Sequence, residues 1–441
     1  MTTSPTTARR DRGSLLTLDW YRTLAADKQS RSAFWASSLG WAMDAFDYQA
    51  LPLALAAITA TFALTKGQAG LIATVVLVVS AIGGALAGWL ADRIGRVRTL
   101  MLTIAMYSLF TLLSGFAPTY GWLLVLRALQ GLGFGGEWAA GAILVAEVSS
   151  PEQRGRVLGW IQSFWAVGWA LATIAYTVVF SLVKDQQLAW RVLFWLGVLP
   201  GLLILYIRRN VADPEVYRET RRAEKAETSE AVERGAVGSR VPQIFQRDLL
   251  GRTAACCLLS LGAQGGYYAL FTWLPTFLKE ERGLKVLGVG SFLFVVILGA
   301  FLGYLAGGYV NDWLGRRPAF ALFALLSAVT VVAYTQATKG GNKSLLLVLG
   351  FPLGFFPSGV FSGFGSYLAE LFPTRARGGG QGFTYNFGRG VGAAFPAAIG
   401  FLSASIGLTA AIAFGASAYA LVLVALLFLP ETRGKQFVAI D

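Results

Sequence analysis

The stretch Asp92-Arg93-Ile94-Gly95-Arg96 returns as Asp312-Trp313-Leu314-Gly315-Arg316, 220 residues later in a chain of 441. Each copy follows a glycine-rich apolar run, Gly83-Gly84-Ala85-Leu86-Ala87-Gly88 in the first and Gly303 to Gly308 in the second. A second echo lies downstream. Glu147, Pro151, Arg154, Gly155 and Arg156 are matched by Glu370, Pro373, Arg375, Arg377 and Gly378, at an offset of 222 or 223 for the leading residues. A third sets Asp213-Pro214-Glu215 against Pro430-Glu431-Thr432-Arg433-Gly434. Echoes in one order, spaced by about half the chain, indicate a duplicated architecture.

Composition says what is duplicated. Hydrophobic residues make up 55% of the chain and charged residues only 14%, against about 25% charged in soluble domains. A membrane span needs about 20 mostly apolar residues. Twelve such stretches are predicted, at 33–58, 68–90, 99–117, 121–146, 156–181, 188–208, 252–278, 287–309, 318–338, 343–369, 380–404 and 408–430. The expected fold is therefore an all-α membrane protein of 12 transmembrane helices in two six-helix bundles, 33–208 and 252–430. They are flanked by a polar N-terminal segment (1–32), a charged linker (209–251) and a short tail (431–441). Residues 1–32 contain no cleavable signal, though Leu15 to Leu24 could lie as an interfacial helix.

The net charge of +13 could suggest a nucleic-acid partner, but its distribution points elsewhere. With both termini cytoplasmic, the seven cytoplasmic segments hold 27 of the 37 Lys and Arg, and the six opposite loops hold 7. That is the positive-inside bias of a multi-pass membrane protein, and no nucleic-acid partner is expected. Histidine is absent and the two cysteines, Cys256 and Cys257, are adjacent, so no metal site, disulfide framework or other cofactor is implied. Trp20, Trp122, Trp190 and Trp273 lie near span ends and are expected in the interfacial belt.

Ionisable groups inside the spans carry the functional argument, because each costs at least about 2.5–3.5 kcal/mol unless it faces a partner or a cavity. Asp44 and Asp47 fall near the middle of the first span, three residues apart on one helical face. Neighbouring carboxylates suit proton binding. Asp47 with Arg127 is read as a switchable pair and Asp44 as a proton site; a permanent ion pair with Arg127 is the alternative. Glu137, deep in the fourth span, is a further proton-coupling candidate or a helix-packing hydrogen bond. Arg389 is the one mid-span base of the second half, and that half offers no equally deep carboxylate. An anionic substrate docking bidentately on Arg389 is expected, with an inter-half salt bridge to Asp44 or Glu137 as the alternative. Tyr385 and Asn386, Gln264, Tyr267 and Tyr268, Tyr48, and Gln162 and Trp165 are the candidate pocket residues, with Gln49 and Trp169 nearby. Asp92, Arg93, Gly95, Arg96, Asp312, Gly315 and Arg316 are expected to form a conformational latch at the cytoplasmic helix ends, with Glu147 and Glu370 as partners of the loop arginines; a purely topological role is the alternative.

The span 2–3 loop, Arg127-Ala-Leu-Gln130-Gly131 on span 4 and Pro430-Glu431-Thr432 after span 12 resemble the major facilitator superfamily over the whole chain. Asp44-Ala-Phe-Asp47, Gly135-Gly136-Glu137-Trp138 and Tyr385-Asn386-Phe387-Gly388-Arg389-Gly390 are similar to its sialate and other carboxylate:proton symporters. The aromatic-acid:proton branch is next, with Ala45 standing where those relatives usually have glycine. The resemblance implies a monomeric, proton-coupled importer of a small organic anion, such as lactate or a sialic-acid-type sugar acid, in a bacterial inner membrane. Aromatic-acid transport and a sugar carrier of the same fold remain open, with drug:proton antiport a further rival that Arg389 disfavours. An enzyme is not expected: no metal cluster or nucleophile–base arrangement is visible.

Overall fold

The computed structural model describes residue 21 and residues 27–148, 154–210, 244–337, 342–373 and 376–433. The described residues form helices and no strands. We number twelve rods in chain order: α1 Lys28–Thr61, α2 Lys66–Ile94, α3 Arg96–Ser114, α4 Tyr120–Val148, α5 Arg154–Leu182, and α6, which runs as Gln186–Trp195, a 3-10 stretch Leu196–Leu202 and Leu203–Asn210. In the second half, α7 is Arg247–Thr276 extended by a π-helical turn Phe277–Glu281, α8 Val286–Leu314 and α9 Arg316–Ala337. The last three are broken: α10 is Lys343–Ser362 with Phe364–Leu371, α11 Arg377–Gly392 with Ala394–Ile406, and α12 Leu408–Gly415 with Ala418–Phe428. Among the described residues, ten segments are long and apolar enough to cross a membrane by length and composition. The rods α1 and α4 carry Asp44, Asp47, Arg127 and Gln130.

The duplication seen in sequence is a duplication of packing. The pairs α1·α5, α2·α4, α3·α4 and α3·α6 recur as α7·α11, α8·α10, α9·α10 and α9·α12. The halves meet through α5·α8 and α2·α11, which exchange under the same two-fold relation, and through α1·α7. Glycine makes the tightest crossings possible. A methyl group on Gly83, Gly131 or Gly135 would strike the backbone of Leu132, Val76 or Ser80 across the α2–α4 contact. Gly299, Gly303 and Gly354 stand in the same relation to Phe351, Phe355 and Val296 across α8–α10. Small residues at such crossings let backbones approach where lipid supplies no hydrophobic drive.

The repeated turn has a backbone reason. Gly95 has φ 107° and Gly315 φ 104°, between α2 and α3 and between α8 and α9. Side chains with a Cβ rarely adopt that conformation. We call the end of the molecule carrying these turns the turn face.

Two expectations about the belt are corrected. Trp190 and Trp273 are buried, at 0% and 1% exposure, rather than interfacial. Their Nε1 groups donate to Thr61 Oγ1 at 3.0 Å and to the Pro396 carbonyl at 2.9 Å, so helix partners take the polar tip that an interface would have hydrated. Trp122 is exposed, and Trp20 lies outside the described residues.

Gly135→Ala should wedge α2 from α4 and abolish recovery of monodisperse protein on detergent size-exclusion chromatography. Gly308→Ala, with nothing within 4 Å of the added methyl, should elute as the parent does.

Candidate functional site

The first half holds a buried polar cluster. Asp44 and Asp47 are both at 0% exposure on α1. Gln130 Nε2 donates to Asp47 Oδ2, and Thr111 and the Arg127 charge also act on that carboxylate. The Arg127 guanidinium in turn lies 4.0 Å from the Phe194 ring centroid. Asp47 thus addresses α3, α4 and α6 of its own bundle. Asp44 is within electrostatic reach of Arg389 in the other bundle. One helical turn therefore separates a carboxylate turned into its half from one that reaches across the interface.

Arg389 is 3% exposed on α11. Its guanidinium lies 5.3 Å from the Phe134 ring of α4 and 5.3 Å from the Tyr385 ring of its own helix. Cation–π contact of this kind is worth most where water is excluded. Around it Tyr48 stacks on Phe134 at 5.4 Å, Trp165 approaches Tyr48 at 5.8 Å and Trp41 at 5.0 Å, and Tyr48 meets Tyr268 at 6.1 Å. Trp165 Nε1 donates to the Tyr267 hydroxyl at 3.0 Å, a buried bond between the halves. Gln264 Nε2 donates to the Tyr385 carbonyl at 2.8 Å and its Oε1 accepts from Tyr268 at 3.2 Å. The result is a buried cation walled by aromatic rings from both bundles.

Of the expected pocket residues, the structure brings Tyr48, Trp165, Gln264, Tyr267, Tyr268, Tyr385 and Arg389 together. Asn386 stands at the α2 interface: Nδ2 returns to the Gly382 carbonyl at 2.9 Å and Oδ1 abuts Gly84. Gln162 is half-buried one turn before Trp165 and does not share in these contacts. Phe134, which the sequence reading passed over, is central; its signal was a single large ring inside the run Gly131 to Gly136. Gln130 was missed as the hydrogen-bond partner of Asp47; it follows Arg127 by three positions, on one helix face. The Glu137 side chain lies outside the described residues.

The two ends of the molecule differ. Opposite the turn face the halves are pressed together. Lys66 Nζ pairs with Glu280 at 3.1 Å, Thr74 Oγ1 donates to the Ala393 carbonyl at 2.6 Å, and Lys279 Nζ reaches Gln186 Oε1 at 3.4 Å. Gly67 lies against the Phe401 ring, Gly70 against the Pro396 and Ala397 backbone, and Gly400 against the Lys66 backbone. On the turn face, Gly88, Gly308 and Gly382 have open space around them.

The latch residues of the second half bond within that half. Arg316 bridges Asp312 at 2.6 Å and Glu370 at 3.0 Å. The Glu431 carboxylate accepts from the backbone N–H of Arg316 and Arg317, both at 2.9 Å, and of Arg433 at 2.7 Å. Thr432 Oγ1 donates to Glu370, and Tyr367 Oη to the Pro430 carbonyl at 3.0 Å. Pro430-Glu431-Thr432 therefore caps α9 and ties it to α10. In the first half Arg93 is exposed, and the side chains of Asp92 and Arg96 lie outside the described ones.

The sequence profile described as Major Facilitator Superfamily matches residues 37–337 and 288–439. The chain belongs to that superfamily. It is a multi-pass membrane transporter and not an enzyme. It is 40% identical over 419 residues to the "Probable 4-methylmuconolactone transporter" of Cupriavidus pinatubonensis, covering 94% of this chain and 93% of that one. It is 32% identical over 405 residues to the "Cis,cis-muconate transport protein" of Acinetobacter baylyi, covering 91% and 94%. The sialic acid transporter of Escherichia coli is 27% identical over 389 residues, covering 88% and 91%. The crystal structure of a D-xylose-proton symporter superposes with a TM-score of 0.74 at 19% identity, covering 92% of this chain and 99% of that chain.

Glu431 gives a pH-dependent prediction. Partial burial would push its carboxyl up, but the backbone N–H groups of Arg316, Arg433, Arg317 and Thr432 hold it below the usual carboxylate range. A depressed carboxylate contributes stability above its unfolded pKa and loses it as pH falls through the folded one. Glu431→Gln should lower thermal stability at pH 7 by about 1 kcal/mol, the worth of a helix cap. The gap to wild type should close once the pH drops below the carboxylate range, read by differential scanning fluorimetry at the two pH values.

Proposed function

We propose that the chain is a proton-coupled symporter that takes up a small organic anion by alternating access. The observation that carries this reading is Arg389. Its guanidinium is buried, ring-walled and without an ion pair among the described residues, and its Nε has no hydrogen-bond partner there. Burial of a cation in this state is costly, and a carboxylate arriving between the halves removes the cost. Asp44 supplies the coupling. Ionised, its charge is shared with Arg389; protonated, it releases Arg389 to the substrate. The chain then carries a proton and an anion together, and the halves rock when the charges of the site are matched. Asp47, Arg127 and Gln130, with Glu137, form the remainder of the proton-coupling set.

The positive-inside count supports a cytoplasmic setting for both termini and the turn face, and a bacterial inner membrane is the setting we propose. The structure is then the inward-facing state, closed outside by Lys66 and Glu280. Both sides of the pocket come from one chain, so the functional unit is a monomer in the lipid bilayer. Asp92, Arg93, Arg96, Asp312 and Arg316, on the turns at Gly95 and Gly315, would latch the turn face when it closes.

The lining favours flat unsaturated carboxylates over a polyhydroxylated sugar acid or lactate. Trp165 spends its one donor on Tyr267, and Gln264 and Asn386 each spend one amide N–H on a backbone carbonyl, leaving fewer donors for hydroxyl groups. Rings surround the cation. Relatives are named for 4-methylmuconolactone, cis,cis-muconate and niacin, and nicotinate and muconate are conjugated carboxylates.

Proteoliposome uptake of nicotinate, cis,cis-muconate, sialate, lactate and glucose, with and without an inward proton gradient, tests the reading. Acid-stimulated uptake of a conjugated carboxylate is expected. Arg389→Gln should weaken its binding at least about 30-fold, as loss of one member of a buried charge pair does, while eluting as folded protein. Glucose uptake indifferent to pH would sink the proposal. Lys66→Glu should open the outer face, seen as faster labelling by an impermeant thiol reagent of a cysteine placed at Thr74, which already carries a side chain at that contact; adding Glu280→Lys should restore slow labelling.

A further inference from the structure

Gln264 is fully buried on α7 and its amide meets a partner at each end. Nε2 donates to the backbone oxygen of Tyr385, 2.8 Å away. A carbonyl only accepts, so the amide orientation is fixed by its partner. The amide oxygen then faces Tyr268, whose hydroxyl lies 3.2 Å from it. That oxygen also only accepts, so Tyr268 spends its single proton on Gln264. The Tyr268 oxygen retains lone pairs alone, and these act on the Arg389 cation. Such an oxygen accepts from a guanidinium and repels a carboxylate.

The ring of bonds closes through the backbone. The Tyr385 carbonyl belongs to the turn of α11 that ends at Arg389, four residues on. Helix α7 cannot slide against that turn: a methyl on Gly388 would strike Ser260, and Gly392 lies against the Gly265 backbone. Arg389, Tyr268, Gln264 and the Tyr385 carbonyl thus form one clamp. Three donors of the site lack a hydrogen-bond partner among the described residues, Arg389 Nε, the Tyr48 hydroxyl and Trp41 Nε1; of these, Arg389 and Tyr48 share the Phe134 ring.

We infer that Gln264 and Tyr268 are positioning residues, which hold Arg389 in its anion-accepting pose and do not touch the anion, and that Arg389 and Tyr48 read the carboxylate. The inference rests on the reading of Arg389 as the anion site.

Uptake of nicotinate and cis,cis-muconate into proteoliposomes tests it, using Gln264→Met, Gln264→Asn, Tyr268→Phe, Tyr48→Phe and the double variant Gln264→Met/Tyr268→Phe. Each Gln264 or Tyr268 variant should raise KM about tenfold, the worth of one hydrogen bond to a charged group, with Vmax within about twofold of wild type. The double variant should be no worse than the larger single, because the two residues act as a unit. Tyr48→Phe should raise KM independently, multiplying the effect of either. Should Gln264→Met fail to assemble, Gln264→Asn with Tyr268→Phe supplies the same cycle. A raised KM in Tyr268→Phe with wild-type KM in the Gln264 variants would make Tyr268 a direct contact and overturn the inference. A fall in Vmax at constant KM would overturn it also, assigning the pair to rocking. Arg389→Gln separates the levels: wild-type KM there defeats the anion reading itself, whereas lost uptake there with unaltered Gln264 and Tyr268 variants defeats only the clamp.

Discussion

A guanidinium in a lipid-embedded interior organises this molecule. Arg389 sits on the stretch Arg377–Gly392, whose sequence RGGGQGFTYNFGRGVG is poor helix material. Glycine costs roughly 0.5–1 kcal/mol per residue in a helix relative to alanine, so this helix is imposed by its neighbours. Helix α7 supplies the constraint through Ser260 and Gly265 at the crossing and Gln264 on the Tyr385 carbonyl. The same glycines that weaken the helix let α7 approach closely enough to fix it. The charge is thereby carried on an element whose geometry is decided by tertiary contacts, where a change in one bundle reaches the cation directly.

The two aspartates of α1 show how three residues of separation produce two environments. Asp47 is enclosed by Gln130, Thr111 and Arg127 of its own half. Removing any one of these would leave a buried charge short of partners, which is far more costly than the pair is worth. Asp44 reaches the opposing half through Arg389. Charge balance in the first bundle is therefore local, while charge balance at the interface depends on what lies between Asp44 and Arg389. The first arrangement lies within one bundle; the second joins the two halves.

Much of this was legible in the sequence. The echo at Gly95 and Gly315 reported a real backbone requirement, a φ above 100° in both turns. The depth of Asp44, Asp47, Arg127 and Arg389 followed from counting along spans, because a helix rises evenly. Side-chain facing was less legible. Trp190 and Trp273 lie at span ends, where an interfacial belt is the ordinary expectation, yet helix partners claim both indoles. Phe134 was hidden by its glycine neighbours, since no periodicity marks which ring will cross to the other half. Gln264 was visible as a buried amide, but its partners are a backbone carbonyl and a tyrosine, and pattern along one helix cannot reveal a bond to another. The charged cap at Glu431 likewise joins residues 115 positions apart.

The contacts that close one face also limit how strongly they hold it. The ion pair Lys66–Glu280 is about one-third exposed on both sides, and pairs of that kind are worth about 0–1 kcal/mol. The rest of the closure is two hydrogen bonds, Thr74 to the Ala393 carbonyl and Lys279 to Gln186, and glycine meeting ring or backbone at Gly67, Gly70 and Gly400. A transporter needs this balance. A ligand shifts a two-state equilibrium only by its differential affinity for the two states, and about 5.5 kcal/mol moves it from 1:99 to 99:1. A face sealed by a large apolar interface would exceed what one carboxylate and one proton can supply. Because α2·α11 and α5·α8 exchange under the two-fold relation of the halves, the rocking proposed above would close the turn face as it opens the other. In the proposed mechanism the exposed ion pair at the gate and an Arg389 without an ion pair among the described residues belong to one design, in which the charge state of the site decides the gate.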